Sequence, residues 1–173
     1  DGVLIGGFII SGDTDKTVLI RARGPSLADF GVVGVLQDPT ISLKRVTGAF
    51  VDGNDSWEAH ARADEIATHL QPTDPLEAAI VATLEPGAYT PIVSGVSGGT
   101  GVGIIEVFEL DTNSRLQNIS TRGFVGTGDD VMIGGFIISG SSPKTVLVRG
   151  RGPSLADFGV QGALMNPNLT LTR

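Results

Sequence analysis

The chain has 173 residues, no cysteine and a net charge of −7; 40% of its residues are hydrophobic and 18% charged. That length buries the core of one domain to a domain and a half, and the lack of cysteine excludes disulfide staples and thiolate metal sites. No apolar run approaches the roughly 18–20 residues of a membrane span, and the bases alternate with acids instead of forming the stripe that displaces counterions from nucleic acid, so neither a membrane span nor a nucleic-acid partner is expected.

In chain order, short runs rich in Val, Ile and Phe, bounded by Gly, Pro, Asp and Asn, predict strands over 3–11, 17–23, 40–45, 78–84, 88–94, 102–110 and 116–125. Many of these runs are apolar at successive positions, as expected of strands covered on both faces, which favours a sandwich over a single sheet. Between the second and third strands, "GPSLADFG" predicts one helical turn, with Ser26 and Asp29 at capping-box spacing and Gly31 closing it. Further on, "SWEAHARADEIATHLQP" has alanines, Ile66 and Leu70 four apart and a stop at Pro72, and predicts one short α-helix packed on the sandwich. "EPGAY" reads as a turn closing a hairpin, with Gly87 supplying a positive φ.

The opening of the chain recurs. Residues 1–45 laid over 129–173 match without a gap at an offset of 128, with 30 of 45 positions identical. A period of 128 is too long for a solenoid layer, so each repeat is a domain with its own core. Residues 1–112 read as one β-sandwich module and 113–173 as the opening strands of the next. The start at Asp1, without a methionine or a leader, suggests a processed product or a piece of a longer array. Charge follows the same division: residues 1–45 hold five acids and five bases, 46–115 eleven acids and two bases, and 116–173 three acids and five bases. An acidic middle facing basic flanks between modules competes here with the plainer reading of a solvated acidic surface.

Taken together, "IGGFIISG", "RARGPSLADFGV", "NDSW", "PLEAAIVATLEPGAYTPIVSG", "GVGIIEVFEL" and "SRLQNISTRGFVGTGDDVMIGGFI" resemble a β-sandwich module found in tandem in large secreted bacterial proteins. The stretch "LEPGAYTPIVSGVSGGTGVGIIEVFEL" is also similar to the closing hairpin of pre-peptidase C-terminal-type jelly-roll modules. The resemblance implies secretion and a modular or surface role, and carries no catalytic residues with it. In that family pattern the strand "LQNISTRGFV" precedes "IGGFI"; it is absent before Asp1, so the first module is expected to lack its first strand and to accept that strand from a neighbour.

Several motifs carry candidate chemistry. "GVSGG" at 95–99 fits the nucleophile-elbow pattern, but "TGVGIIEVFEL" after it reads as a strand where the elbow needs a helix, and no lysine or helix follows to make it a phosphate loop. His60 and His69, nine apart, do not share a helical face. Of the acidic loops at Asp13 and Asp15, at Asp52, Asn54 and Asp55, and at Asp129 and Asp130, the "DGNDS" loop is the first candidate for calcium, against turn formation as the default. Asn54, Asn118 and Asn168 match glycosylation sequons by chance. The strongest polar signal is Arg21 with Arg23, and again Arg149 with Arg151, two apart on a strand and so on one face. They suit either a bound carboxylate or sulfate, or an internal or intermodule pair with Glu106, whose carboxylate sits inside an apolar run and needs a cation.

The expected fold is therefore all-β, an antiparallel jelly-roll or Ig-like sandwich with one short α-helix inserted. The expected function is non-enzymatic: a structural module of a secreted tandem-repeat or polymerised filament or surface protein whose partners are neighbouring copies of itself, with no catalytic, metal or cofactor residues. The alternative is an accessory module that holds a secreted enzyme on polysaccharide or a cell surface, disfavoured by one Trp, one Tyr and Phe residues placed mostly in apolar runs.

Overall fold

The computed structural model describes residues 2–112, 115–128 and 131–172. They divide into two compact units, Asp1–Gly123 and Phe124–Arg173.

The first unit is a sandwich of two antiparallel sheets. Its strands are β1 (Leu4–Ser11), β2 (Lys16–Arg23), β3 (Pro39–Arg45), β4 (Phe50–Asn54), β5 (Ala78–Leu84), β6 (Gly87–Gly95), β7 (Ile104–Glu109) and β8 (Arg115–Arg122). Five form one sheet in the order β4-β3-β6-β1-β8, and three form the other in the order β5-β2-β7. In β1 and β3 alternate residues are buried, so Phe8, Ile10, Ile41 and Leu43 point inward with Tyr89 and Val93 of β6. They meet Val18, Ile20, Ala22, Ile80 and Ala82 of the facing sheet, and Phe8 stacks on Tyr89 with ring centroids 5.5 Å apart. Strands β2 and β5 are buried on both faces, because Leu19, Ala79 and Val81 form a second apolar cluster with Ile66 on the outer side.

That outer layer differs from the expected α-helix. Residues 57–70 form three separate 3-10 turns, Trp57–Ala59, Ala63–Glu65 and Thr68–Leu70, with extended backbone at His60, Ile66 and Gln71 between and after them. A lone helix of this length is marginal in water, so tertiary contacts decide. Here Trp57, Ile66 and Leu70 all reach the β2–β5 face, and the fully buried Ile66 sits in an extended linker that a continuous helix would not provide.

Two turn expectations also change. "EPGAY" does not close a hairpin: β5 and β6 lie in different sheets, so the turn arches across the sandwich. "PSLADF" does form a single 3-10 turn, Pro25–Phe30, closed by Gly31 at φ 80°, but Ser26 makes no cap bond because its hydroxyl is engaged elsewhere. The true hairpin joins β3 to β4, a strand absent from the expected set because "FVDGN" carries turn residues.

The sheet order contains a regularity with consequences for the second unit. β3 lies between β4 and β6, β1 between β6 and β8, and β2 between β5 and β7. Each strand of the opening segment (residues 2–45) thus pairs only with strands of the closing segment (β4 to β8), never with another opening strand. Because β8 runs along β1, with Gly7 opposite Ser120 and Phe8 opposite Ile119, the first unit extends past 112 to Gly123. The place beside β1 that was expected to take a neighbour's strand holds this chain's own Arg115–Arg122.

The second unit repeats what is encoded locally and lacks what needs partners. The turn Pro153–Phe158 ends at Gly159 with φ 77° and the same two backbone bonds as its counterpart. Gly24 and Gly152 are also equivalent: an added Cβ would lie 2.0 Å from the Leu36 carbonyl oxygen in one and 1.8 Å from that of Leu164 in the other, so only glycine fits. Residues 131–151, nearly the sequence of β1 and β2, form no strand among the described residues, and Ile133, Ile137 and Leu147 are 85%, 92% and 82% exposed. Among the described residues this second opening segment pairs with no strand.

Candidate functional site

Polar groups where the opening segment meets the closing segment make up the candidate site. β2 must carry its cations into a sheet covered on both sides, and each cation meets an acid from the closing segment.

Lys16, at the start of β2, is fully buried. Its Nζ donates to the Asp111 carbonyl oxygen at 3.0 Å and to Asp111 Oδ1 at 3.2 Å, and lies 3.4 Å from Glu109 Oε1. The Thr17 amide donates to the other Asp111 oxygen. This arrangement satisfies a buried ammonium with both charge and hydrogen bonds.

Arg21 lies directly opposite Glu106 in the β2–β7 register. Its Nε and Nη2 donate to Glu106 Oε2 at 3.0 and 2.6 Å, Nη1 donates to the Leu70 carbonyl oxygen, and the guanidinium stacks over Phe108 at 4.7 Å. Arg23, on the same face, does not share this acid. Its Nε and Nη2 donate to Ser26 Oγ at 3.0 and 2.7 Å, it packs over Phe30, and Nε lies 3.8 Å from Glu77 Oε2.

Glu77 has no counterpart among the expected site residues and is the most constrained group of all. It is fully buried just before β5. Its Oε1 accepts from the Gly24 amide at 3.0 Å, the Ser26 amide at 3.1 Å and the Ser26 hydroxyl at 2.5 Å, while Oε2 has no hydrogen bond. A closing-segment carboxylate thereby holds the "RGPS" turn through its backbone. The sequence signal was present: an acid at the head of the apolar run "EAAIVATL" raises the same question as Glu106.

Arg45 completes the set, with Nη2 2.9 Å from Glu85 Oε2. Among the described residues, in every ion pair between the two segments the cation belongs to the opening segment and the acid to the closing one. The acidic middle of the sequence is therefore partly spent on this internal match.

In the second unit, Arg151 repeats the contact with a serine, Ser154 Oγ at 3.3 and 3.1 Å, and packs over Phe158. Among the described residues neither Arg149 nor Arg151 has a carboxylate within 4.0 Å.

Two of the remaining motifs have defined local geometry. Asn54 accepts from the Ala79 amide and donates to the Ser56 carbonyl oxygen, and Asp52 lies 3.1 Å from His60 Nε2, so two oxygen donors of the "DGNDS" loop are engaged within the protein. Ser97 sits in a left-handed conformation, φ 53° and ψ 27°, and leads into β7, a strand, instead of the helix of a nucleophile elbow. Asp129 and Asp130 lie outside the described residues.

Compared with known proteins, the chain matches no family model, and no curated protein or solved structure is significantly similar to it.

Proposed function

We propose that the chain is a non-enzymatic structural module of a secreted tandem-repeat or polymerised bacterial filament or surface protein, in which neighbouring modules associate through strand pairing. The observation that carries this reading is the division between opening and closing strands, together with a second opening segment that keeps the cations of the first. Lys144, Arg149 and Arg151 stand where Lys16, Arg21 and Arg23 stand, ready for acids of the type of Asp111, Glu106 and Glu77. A layout in which opening strands need closing strands on both sides joins repeats by pairing as well as by the covalent chain, and duplicated core segments build length. In sequence the edge strand β8 is followed by the second opening segment, which supports a junction of successive repeats there.

The size of the native polypeptide on a denaturing gel, set beside electron micrographs of the native protein, tests the proposal. Filaments or end-to-end arrays support it; isolated monomeric particles at every concentration oppose it. An accessory binding role has one observation in its favour: Phe50 is 66% exposed in a groove on β3 and β4 beside Asn54 and Asp55. Retention on insoluble polysaccharide, lost in Phe50→Ala, would favour that role instead.

A further inference from the structure

We infer that residues 131–172 are a second, interchangeable occupant of the place that residues 2–45 fill in the sandwich, so that the closing segment exchanges between two opening segments of one chain. The inference goes beyond the filament reading and is independent of whether filaments form.

Complementarity is the first support. Seventeen positions of the opening segment are buried, and thirteen recur unchanged 128 residues later. The other four remain apolar: Val148 for Ile20, Gly150 for Ala22, Ala163 for Val35 and Leu169 for Ile41. Polar matching is equally complete, since Lys144, Arg149, Arg151 and Ser154 repeat the groups that Asp111, Glu106 and Glu77 bind.

Topology is the second. All three opening strands are inserted between closing strands and none pairs with another, so the segment is replaceable as a block. Residues 5–11 and 133–139 are identical, "IGGFIIS", so β8 meets the same side chains in the same register on either one. Ser120 is 113 residues from Gly7 but 15 from Gly135. The shorter connection favours the second occupant through loop closure, while the smaller side chains at 148, 150 and 163 favour the first through packing. Within residues 1–173 alone, one closing segment and two matched occupants leave one opening segment unpaired, as residues 131–172 are here.

The absence of native cysteine makes the test direct. A Cβ added at Gly7 lies 4.0 Å from Ser120 Cβ, within the 3.5–4.5 Å that a disulfide spans. Two variants of the full chain, Gly7→Cys with Ser120→Cys and Gly135→Cys with Ser120→Cys, are oxidised slowly at low concentration and separated by size and by peptide mapping. Both are expected to form an intramolecular disulfide in a folded, monomeric chain. A second pair of variants guards against simple misfolding. Leu19→Asp, at a fully buried β2 position, should keep a cooperative melt because the second segment takes over, whereas Leu19→Asp with Leu147→Asp should lose it. The inference is overturned if the Gly135 variant stays reduced or links only between chains while the Gly7 variant closes, or if Leu19→Asp alone is as unfolded as the double variant. Monomeric chains that exchange in this way leave the filament reading to its own imaging test, and filaments without exchange would overturn this inference alone.

Discussion

Replacing Glu77 probes the junction of the two segments at its most buried point. In Glu77→Ala three donors lose their acceptor: the amides of Gly24 and Ser26 and the Ser26 hydroxyl. The hydroxyl can turn to another partner, but the two amides are fixed by the turn that Gly24 makes against the Leu36 carbonyl oxygen. Two orphaned buried amides, at about 1–3 kcal/mol each, put the loss at about 2–6 kcal/mol. Glu77→Gln behaves differently. Its amide oxygen can take over all three bonds of Oε1, its NH2 replaces the Oε2 that bonds nothing, and the Arg23 guanidinium that loses its charge partner lies 3.8 Å away, beyond hydrogen-bond distance. Keeping the three bonds of Oε1 while burying a new NH2 beside the Arg23 guanidinium is expected to cost about 1–3 kcal/mol, less than Glu77→Ala. Urea unfolding of the full chain, followed by Trp57 fluorescence, gives both values from the midpoint at constant slope. A Glu77→Ala loss under 1 kcal/mol, or a Glu77→Gln loss as large as that of Glu77→Ala, would refute the reasoning, the second by showing that charge and not hydrogen-bond geometry holds the turn.

Other perturbations read other parts of the account. Glu106→Gln keeps one acceptor for Arg21 but loses the charge-assisted pair, and should cost about 1–2 kcal/mol, since both side chains are largely covered; an unchanged melting temperature would contradict the pairing. Ser97→Gly relieves a left-handed conformation unfavourable for a side chain and should stabilise by about 0.5–1 kcal/mol, visible as a higher urea midpoint. The hydrogen bonds from Arg62 hold the Glu65 carboxyl below its ordinary value of 4.5. A carboxyl depressed in the folded state stabilises it above the unfolded pKa, and that contribution disappears as pH falls from about 4.5 through the folded value. An NMR titration should show Glu65 moving up toward 4.5 in Arg62→Ala and staying low in Arg62→Lys only if the charge alone suffices.

Strand positions in the first unit were legible because a β-branched run bounded by Gly and Pro is a local signal; the same runs repeated after Val131, where strands were also expected, form none among the described residues, because a strand needs partners as well as a pattern. β4 was not legible, because "FVDGN" is a strand only through its pairing with β3. The segment 57–70 has helical composition, yet Trp57, Ile66 and Leu70 must all reach one sheet face, and that tertiary demand outweighs propensity. Arg21 and Glu106 could be matched on paper, since each is an ionised group in an apolar run. That Arg23 would turn instead to Ser26 and Glu77 depends on the register of three strands, which no local pattern contains. The arch at "EPGAY" was misread for the same reason, because a turn between two apolar runs looks alike whether the runs pair or cross between sheets.

Amide hydrogen exchange on the native assembly tests the central claim most directly, that opening strands exist to be paired by closing strands across a repeated structure. In that assembly the amides of 133–139 and 144–151 are predicted to be protected as strongly as those of 5–11 and 16–23, with the unique residues around 131 and 141–143 distinguishing the two sets of peptides. Exchange of 133–151 at the rate of an open chain, in an assembly that retains protection over 5–23, would contradict it.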